Sequence, residues 1–250
     1  MHTVLSVEKA EKNYGKEPNL DKALDRVDFK VNAGEFVSIM GPSGSGKTTL
    51  LNCISTIDTV DAGHVYLDGQ DLASLSQQKS ARFRQENIGF IFQDFNLLDT
   101  LSIEENIALP LSVRDVPAKE IKDTARSLMR RLGISDIAAK FPAQVSGGQK
   151  QRCACARAFV NKPKLVLADE PTGALDSVSA GQLLALLTEL NEKEDATILM
   201  VTHDPLSASY GSRVLFLKDG RINKELHRGR QGRSDFYHAI LSEVSAFGGM

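Results

Sequence analysis

The sequence predicts an α/β fold with an inserted helical block, and three observations carry that prediction. The short apolar run Phe36 to Met40 ("FVSIM") leads straight into a glycine-rich loop, as a buried parallel strand does. The stretch from Ser102 to Asn161 is helical in character, with apolar residues three and four apart. Beyond it, strand and helix patterns alternate again.

From the N-terminus onward, the first third reads as strands and turns. "TVLSVEKAEKNYG" (Thr3 to Gly15) and "ALDRVDFKVNAGE" (Ala23 to Glu35) alternate apolar and polar residues and end in turn residues, which predicts half-buried antiparallel strands. Within the helical block, "IEENIALPLSV", "AKEIKDTARSLMRRLGI" and "GGQKQRCACARAFV" are the three expected helices. The middle one puts Ile121, Ala125, Leu128 and Leu132 on one face and stops at Leu132-Gly133. Then "KLVLADE" reads as a buried strand, "SAGQLLALLTELNE" as a helix, "ATILMVTHD" as a strand and "RVLFLKDGRI" as a hairpin around Asp219-Gly220. Last, "SDFYHAILSEVSAF" puts Phe236, Ile240 and Val244 on one stripe, for packing onto the body or onto a second chain. A single domain over 1–250 is expected. Residues 1–93 and 160–225 make its core with the antiparallel part, 94–159 the helical insert, and 226–250 a C-terminal helical extension.

Composition narrows the function classes. The 250 residues are 42% hydrophobic and 25% charged, with a net charge of −2, as in an ordinary globular protein. No basic footprint of a nucleic-acid binder is present. No apolar run approaches the roughly 20 residues of a membrane helix, and the N-terminus lacks the basic-then-apolar layout of a signal peptide. A cytoplasmic location is expected. Three cysteines (Cys53, Cys153, Cys155) are too few for a disulfide scaffold. Cys153 and Cys155 on one helix would stand roughly 200° apart at about 100° per residue. They could then neither share a metal nor pair, so packing positions are expected rather than a metal or redox site.

The motifs carry the chemistry. "GPSGSGKTT" (Gly41, Pro42, Ser43, Gly44, Ser45, Gly46, Lys47, Thr48, Thr49) fits G-x-x-x-x-G-K-[ST], after a strand and at the start of a helix. Glycines let successive backbone N–H groups curl around phosphate oxygens, and the helix N-terminus adds partial positive charge. Lys47 is suited to the β- and γ-phosphates and the Thr48 hydroxyl to Mg²⁺. "LVLADE" ends in two carboxylates: Asp169 is assigned to the metal and Glu170 to the attacking water, as general base. His203 ends the next apolar run, at the edge where such sheets bind ligands. It is either a hydrogen-bond donor to the γ-phosphate or a surface loop histidine. "VSGGQ" (Val145 to Gln149) looks like a second helix start shaped for a phosphate, but with no lysine of its own.

Together these residues resemble the ATP-binding cassette (ABC) ATPases, whose signature is Leu-Ser-Gly-Gly-Gln; Val145 here replaces the leucine. The likeness runs from Tyr14 to about Ile222 and implies a P-loop NTPase (RecA-like) core with an N-terminal antiparallel β subdomain and an inserted α-helical subdomain. It also implies ATP and Mg²⁺, bound between two subunits paired head to tail. Each ATP would lie on one subunit's P-loop and be closed by Ser146, Gly147, Gly148 and Gln149 of the other. By the same resemblance, Tyr14 stacks on adenine, Gln93 contacts Mg²⁺ and links core to insert, Asp176 crosses to the other subunit, and His203 is the switch histidine. Lys150 stands where glutamine or glutamate is common, and alanine and glycine rather than serine precede Leu175-Asp176. Neither departure removes a group with direct chemistry.

The resemblance further implies a separate membrane permease, gripped near Gln93–Pro110, and a location at the cytoplasmic face of the plasma membrane through that permease. "RFRQENIGFIFQDFNLLDTLSIEENIALPL" is similar to ATPases of the macrolide-exporter and lipoprotein-release superfamily. Within it, "FNLLDTLSIEENI" is similar to the bacitracin and lantibiotic resistance branch, whose permeases transmit mechanical motion. The alternative is the ATPase of a lipoprotein-release, cell-division or signalling complex that moves no substrate. DNA-repair and ribosomal relatives carry long coiled coils or paired cassettes, which this sequence lacks, so no nucleic-acid partner is expected.

Overall fold

The computed structural model describes residues 2–16, 19–114 and 116–246. Two sheets form the frame. A four-stranded antiparallel sheet, in the order β2-β1-β4-β5, comprises β1 (Thr3–Tyr14), β2 (Asp21–Asn32), β4 (Ala62–Leu67) and β5 (Gln70–Asp71). A six-stranded sheet, in the order β10-β9-β3-β8-β7-β6, comprises β3 (Phe36–Met40), β6 (Ile88–Ile91), β7 (Leu165–Asp169), β8 (Ile198–Val201), β9 (Arg213–Lys218) and β10 (Arg221–His227). Strands β9, β3, β8, β7 and β6 run parallel, and β10 closes one edge antiparallel.

The central strands are buried on both faces, so their apolar runs are unbroken in sequence yet alternate in space. Val166 and Ala168 of β7 and Ile198 and Met200 of β8 join the core beneath the helical insert. Leu165, Leu167, Leu199 and Val201 join the core shared with the antiparallel sheet and α1 (Lys47–Ile54). The insert holds α3 (Ile103–Ser112), α4 (Ala118–Arg131) and α5 (Gly147–Phe159). Helix α3 starts with a reciprocal cap in which Ser102 and Glu105 satisfy each other's backbone N–H groups. Helix α4 buries Ala125 and Leu128 on the expected face, with Ile121 half-buried, and stops where Gly133 takes φ +66°.

Helix α2 (Gln77–Asn87) is absent from the sequence reading and buries no residue. Without an apolar stripe it leaves no periodic signal. Two helices follow β7 and β8, namely α6 (Ser177–Glu194) and the short α7 (Pro205–Ala208). The last, α8 (Arg233–Ala246), packs Phe236 and Ile240 against Met40, Ala208, Val214 and Phe216, with Val244 alongside. Of the two packings open to that stripe, it is therefore the body that takes it. Residues 247–250 of the expected C-terminal extension lie outside the described residues. Among the described residues, no helix is long and apolar enough to cross a membrane.

Candidate active site

The parallel strands β3, β7 and β8 end side by side, and a cleft of about 800 Å³ opens beyond those ends. It is lined by Tyr14, by Pro42, Ser43, Gly44 and Gly46 through Thr49, and by Asp169, Glu170 and His203. Three sequence motifs from distant parts of the chain thus face one volume. Asp21, Ala23, Val201, Pro205 and Val244 complete its wall. Sequence reasoning missed these five as lining residues; Val244 arrives on α8, and its apolar spacing signals packing only.

The loop owes its shape to backbone geometry. Gly46 has φ +100°, and a Cβ there would stand 2.3 Å from the Ala23 carbonyl oxygen. Next to it, Gly44 has φ +78° and open space around it. Gly41 and Ser45 lie behind the lining, with a buried Ser45 hydroxyl that has no hydrogen-bond partner. Lys47 Nζ donates to the carbonyls of Gly41 (2.8 Å) and Pro42 (2.7 Å). Burial pulls its pKa down, against the attraction of Glu170 and Asp169.

The two carboxylates differ in their surroundings. Burial, reinforced by the charge of Glu170, raises the Asp169 carboxyl pKa, with Lys47 opposing. Glu170 adopts φ +44°, a left-handed conformation costly for a non-glycine residue. Its Oε1 accepts from the His203 backbone N–H (3.0 Å) and pairs with His203 Nδ1 (2.8 Å). Helix α7 follows at once, capped by Asp204 through the N–H groups of Leu206 and Ser207. At the cleft mouth Tyr14 is 41% exposed. Its hydroxyl donates to Asp58 Oδ2 at 2.8 Å, and the Lys12 ammonium sits 5.4 Å from the ring centroid.

The remaining expected site residues lie elsewhere on the chain. Ser146 caps α5: its Oγ accepts from Gln149 N–H (3.3 Å), and Gln149 Oε1 accepts from Ser146 N–H (3.0 Å). Gly147 and Gly148 form the first turn of α5, and none of these four residues lines the cleft. Gln93 is exposed and does not line it either; its side chain lies against Gly173. Asp176 caps its own helix α6, accepting from the N–H groups of Val178 (3.0 Å) and Ser179 (2.9 Å) and from Ser179 Oγ (2.6 Å). Cys153 and Cys155 are both fully buried in the insert core, with thiol pKa values pushed up to about 12 by burial. Among the described residues, no cluster of three or more His, Cys, Asp or Glu is placed to hold a metal. A hollow of about 880 Å³ lies at the opposite, N-terminal ends of the strands, and part of its charge is paired within the chain, as in Lys164–Asp68 and Arg131–Glu194.

Residues 24–173 match the family described as ABC transporter. The chain belongs to that family. This ABC chain is 49% identical over 247 residues to the bacitracin export ATP-binding protein BceA of Halalkalibacterium halodurans, spanning 99% of this chain and 98% of the relative. It is 47% identical over 249 residues to the ABC transporter ATP-binding protein YxdL of Bacillus subtilis, spanning 100% and 96%. A dimeric structure of the ATP-binding cassette MJ0796 of Methanocaldococcus jannaschii, bound to ADP and Pi, superposes with a TM-score of 0.82. It is 39% identical and covers 89% of this chain and 98% of its own. The expected P-loop core, antiparallel subdomain and helical insert are thus all present, and the ABC chain is an ATPase.

Proposed function

We propose that the chain is the ATP-hydrolysing subunit of a two-part machine whose membrane permease is a separate chain, of the kind that confers resistance to antimicrobial peptides. The observation that carries this is end-to-end similarity to the bacitracin export ATP-binding protein, together with a complete phosphate loop and strand-end carboxylates in one cleft.

In this reading Tyr14 stacks on adenine, and the backbone N–H groups of Gly41 to Thr49 wrap the phosphates. Lys47 moves from its loop carbonyls to the β- and γ-phosphates. Thr48 and Asp169 share the cleft, and the raised Asp169 pKa fits a carboxylate that a cation would relieve. These two would hold Mg²⁺, joined by Gln93 once its loop swings in from Gly173. Held by these residues, Mg²⁺ would supply positive charge against the phosphates. Glu170 takes the proton of the attacking water as its oxygen bonds to the γ-phosphorus and ADP departs. His203 steadies the γ-phosphate.

Each cleft is completed by a second copy, a reading supported by the dimeric state of the relative bound to ADP and Pi. Ser146 of the partner subunit and the adjoining N–H groups present a second helix N-terminus to the γ-phosphate. Asp176 leaves its helix cap to span the interface. ATP then holds the pair together, and its hydrolysis releases it, which moves the permease through the segment Gln93–Pro110. That arrangement sits at the cytoplasmic face of the plasma membrane.

The test is to isolate the Glu170→Gln protein with its membrane partner. A many-span permease with a large extracellular domain is expected, along with bacitracin sensitivity when the gene is deleted. Recovery of a nucleic-acid partner and no membrane partner would refute the proposal.

A further inference from the structure

We propose that Gln151 is a positioning residue for ATP hydrolysis: one buried carboxamide that locks the signature helix to the backbone beside both Glu170 and Gln93. The inference rests on Glu170 being the general base.

Gln151 lies in the second turn of α5, five residues after the cap Ser146, and is 0% exposed. Its Nε2 donates to the Pro171 carbonyl at 2.6 Å and to the Phe92 carbonyl at 3.2 Å. Pro171 directly follows Glu170, and Phe92 directly precedes Gln93. Strand β7 ends at Asp169 and β6 at Ile91, so Pro171 and Phe92 lie beyond the strands. Two N–H groups of a single side chain take over where the ladder stops.

The need for such a lock is visible at Glu170. Its left-handed φ of +44° must be imposed by its surroundings. On one side its own N–H donates to the Val201 carbonyl at 2.9 Å. On the other, Pro171 has no N–H to give, and its carbonyl is held by Gln151. The far end of the carboxamide, Oε1, is buried with no partner. Burying an amide with one oxygen unpaired is costly for a residue that only fills space. Two turns along the same helix, Arg157 donates to the carbonyl of Phe95 (2.8 Å) and to that of Asn96. Both of those residues also have positive φ (+61° and +48°). Helix α5 thus grips residues 92–96 at two points and the turn after Glu170 at a third.

The experiment measures basal ATP hydrolysis of Gln151→Leu and Gln151→Glu with no membrane partner present, so it is independent of the permease reading. Loss of the lock misplaces Glu170, and the leucine protein is expected to lose about ten-fold or more in kcat. Its affinity for ATP, set by the intact phosphate loop, stays within about two-fold of the parent. Amide exchange quickens at residues 92–96 and 172–175 and not across the rest of the sheet. A protonated glutamate keeps one O–H donor, so Gln151→Glu is expected to recover rate, relative to the parent, as pH falls from about 8 to about 6. A leucine protein with kcat within about two-fold of the parent overturns the proposal. So does a joint loss of affinity and rate with exchange raised everywhere, and so does failure of both variants to fold, each of which makes Gln151 a residue of the core alone. Glu170→Gln, assayed in parallel, separates the two ideas: normal turnover there removes the base assignment whatever Gln151 does.

Discussion

The phosphate loop and the start of α5 are both glycine-rich helix N-termini, yet glycine does a different job in each. In the loop the chain itself demands it: Gly44 and Gly46 sit at φ +78° and +100°, and a Cβ on Gly46 would collide with the Ala23 carbonyl. At α5, Gly147 and Gly148 have ordinary helical backbones; a Cβ on Gly147 would meet nothing nearer than 3.8 Å, whereas one on Gly148 would press on the Ser179 side chain at 3.0 Å. Nothing within the chain requires glycine at Gly147. In the proposed dimer, that bareness lets a second copy's nucleotide approach closely. On that reading the same residue type marks a finished half-site in one place and an unfinished one in the other.

The largest predicted effect joins the two halves. Glu170→Gln should lower hydrolysis by about 10²- to 10⁴-fold and accumulate an ATP-bound dimer, seen as a doubled mass in sedimentation. Turnover at the parent rate refutes the assignment. Next, Gly46→Ala should destabilise the fold by about 1–3 kcal/mol through its backbone strain and abolish nucleotide binding, read by thermal melting and a fluorescent nucleotide. Gly147→Ala sharpens the contrast, because its sign is opposite. Helix propensity should leave the single chain unchanged or up to about 1 kcal/mol more stable, with ATP affinity intact, while dimer formation in the Glu170→Gln background is lost. A normal dimer there breaks the distinction between the two glycine pairs.

Asp169 gives a smaller effect with a defined sign. A folded-state pKa raised by burial means that stability is fully present below the unfolded pKa and lost as pH rises through the folded one. Asp169→Asn should therefore raise the melting temperature of the protein without nucleotide at pH 7, by an amount that shrinks toward acid, while weakening stabilisation by MgATP. The smallest effects belong to Cys153→Ala and Cys155→Ala. Each should cost about 1 kcal/mol by melting and leave ATPase activity largely intact. Their thiols, at about 12, should resist alkylation at neutral pH.

What the sequence made legible follows from how local each signal is. The phosphate loop, the two carboxylates at the end of β7 and the cap of α5 are contiguous stretches whose spacing carries their geometry. Strands β3, β7 and β8 announce themselves as apolar runs because both faces are buried. Helix α2 has no buried face and so left no period to read. Val244 reaches the cleft, and Gln151 reaches two loops, only through tertiary packing. The spacing that shows each lies on a helix says nothing of what the side chain meets. Asp176 capping its own helix, and Gln93 resting on Gly173, are likewise choices among partners that only the fold supplies.

The two bonds from Lys47 to the Gly41 and Pro42 carbonyls have a further consequence. A triphosphate does not meet a slack loop with a wandering cation. It meets a ring already drawn shut by the chain's own ammonium group. With Lys47 serving the phosphates as proposed above, nucleotide entry is an exchange of partners, in which two neutral acceptors give up the lysine to charged ones. The affinity that is measured is the difference between those two grips, and the loop need not be ordered anew at each turnover.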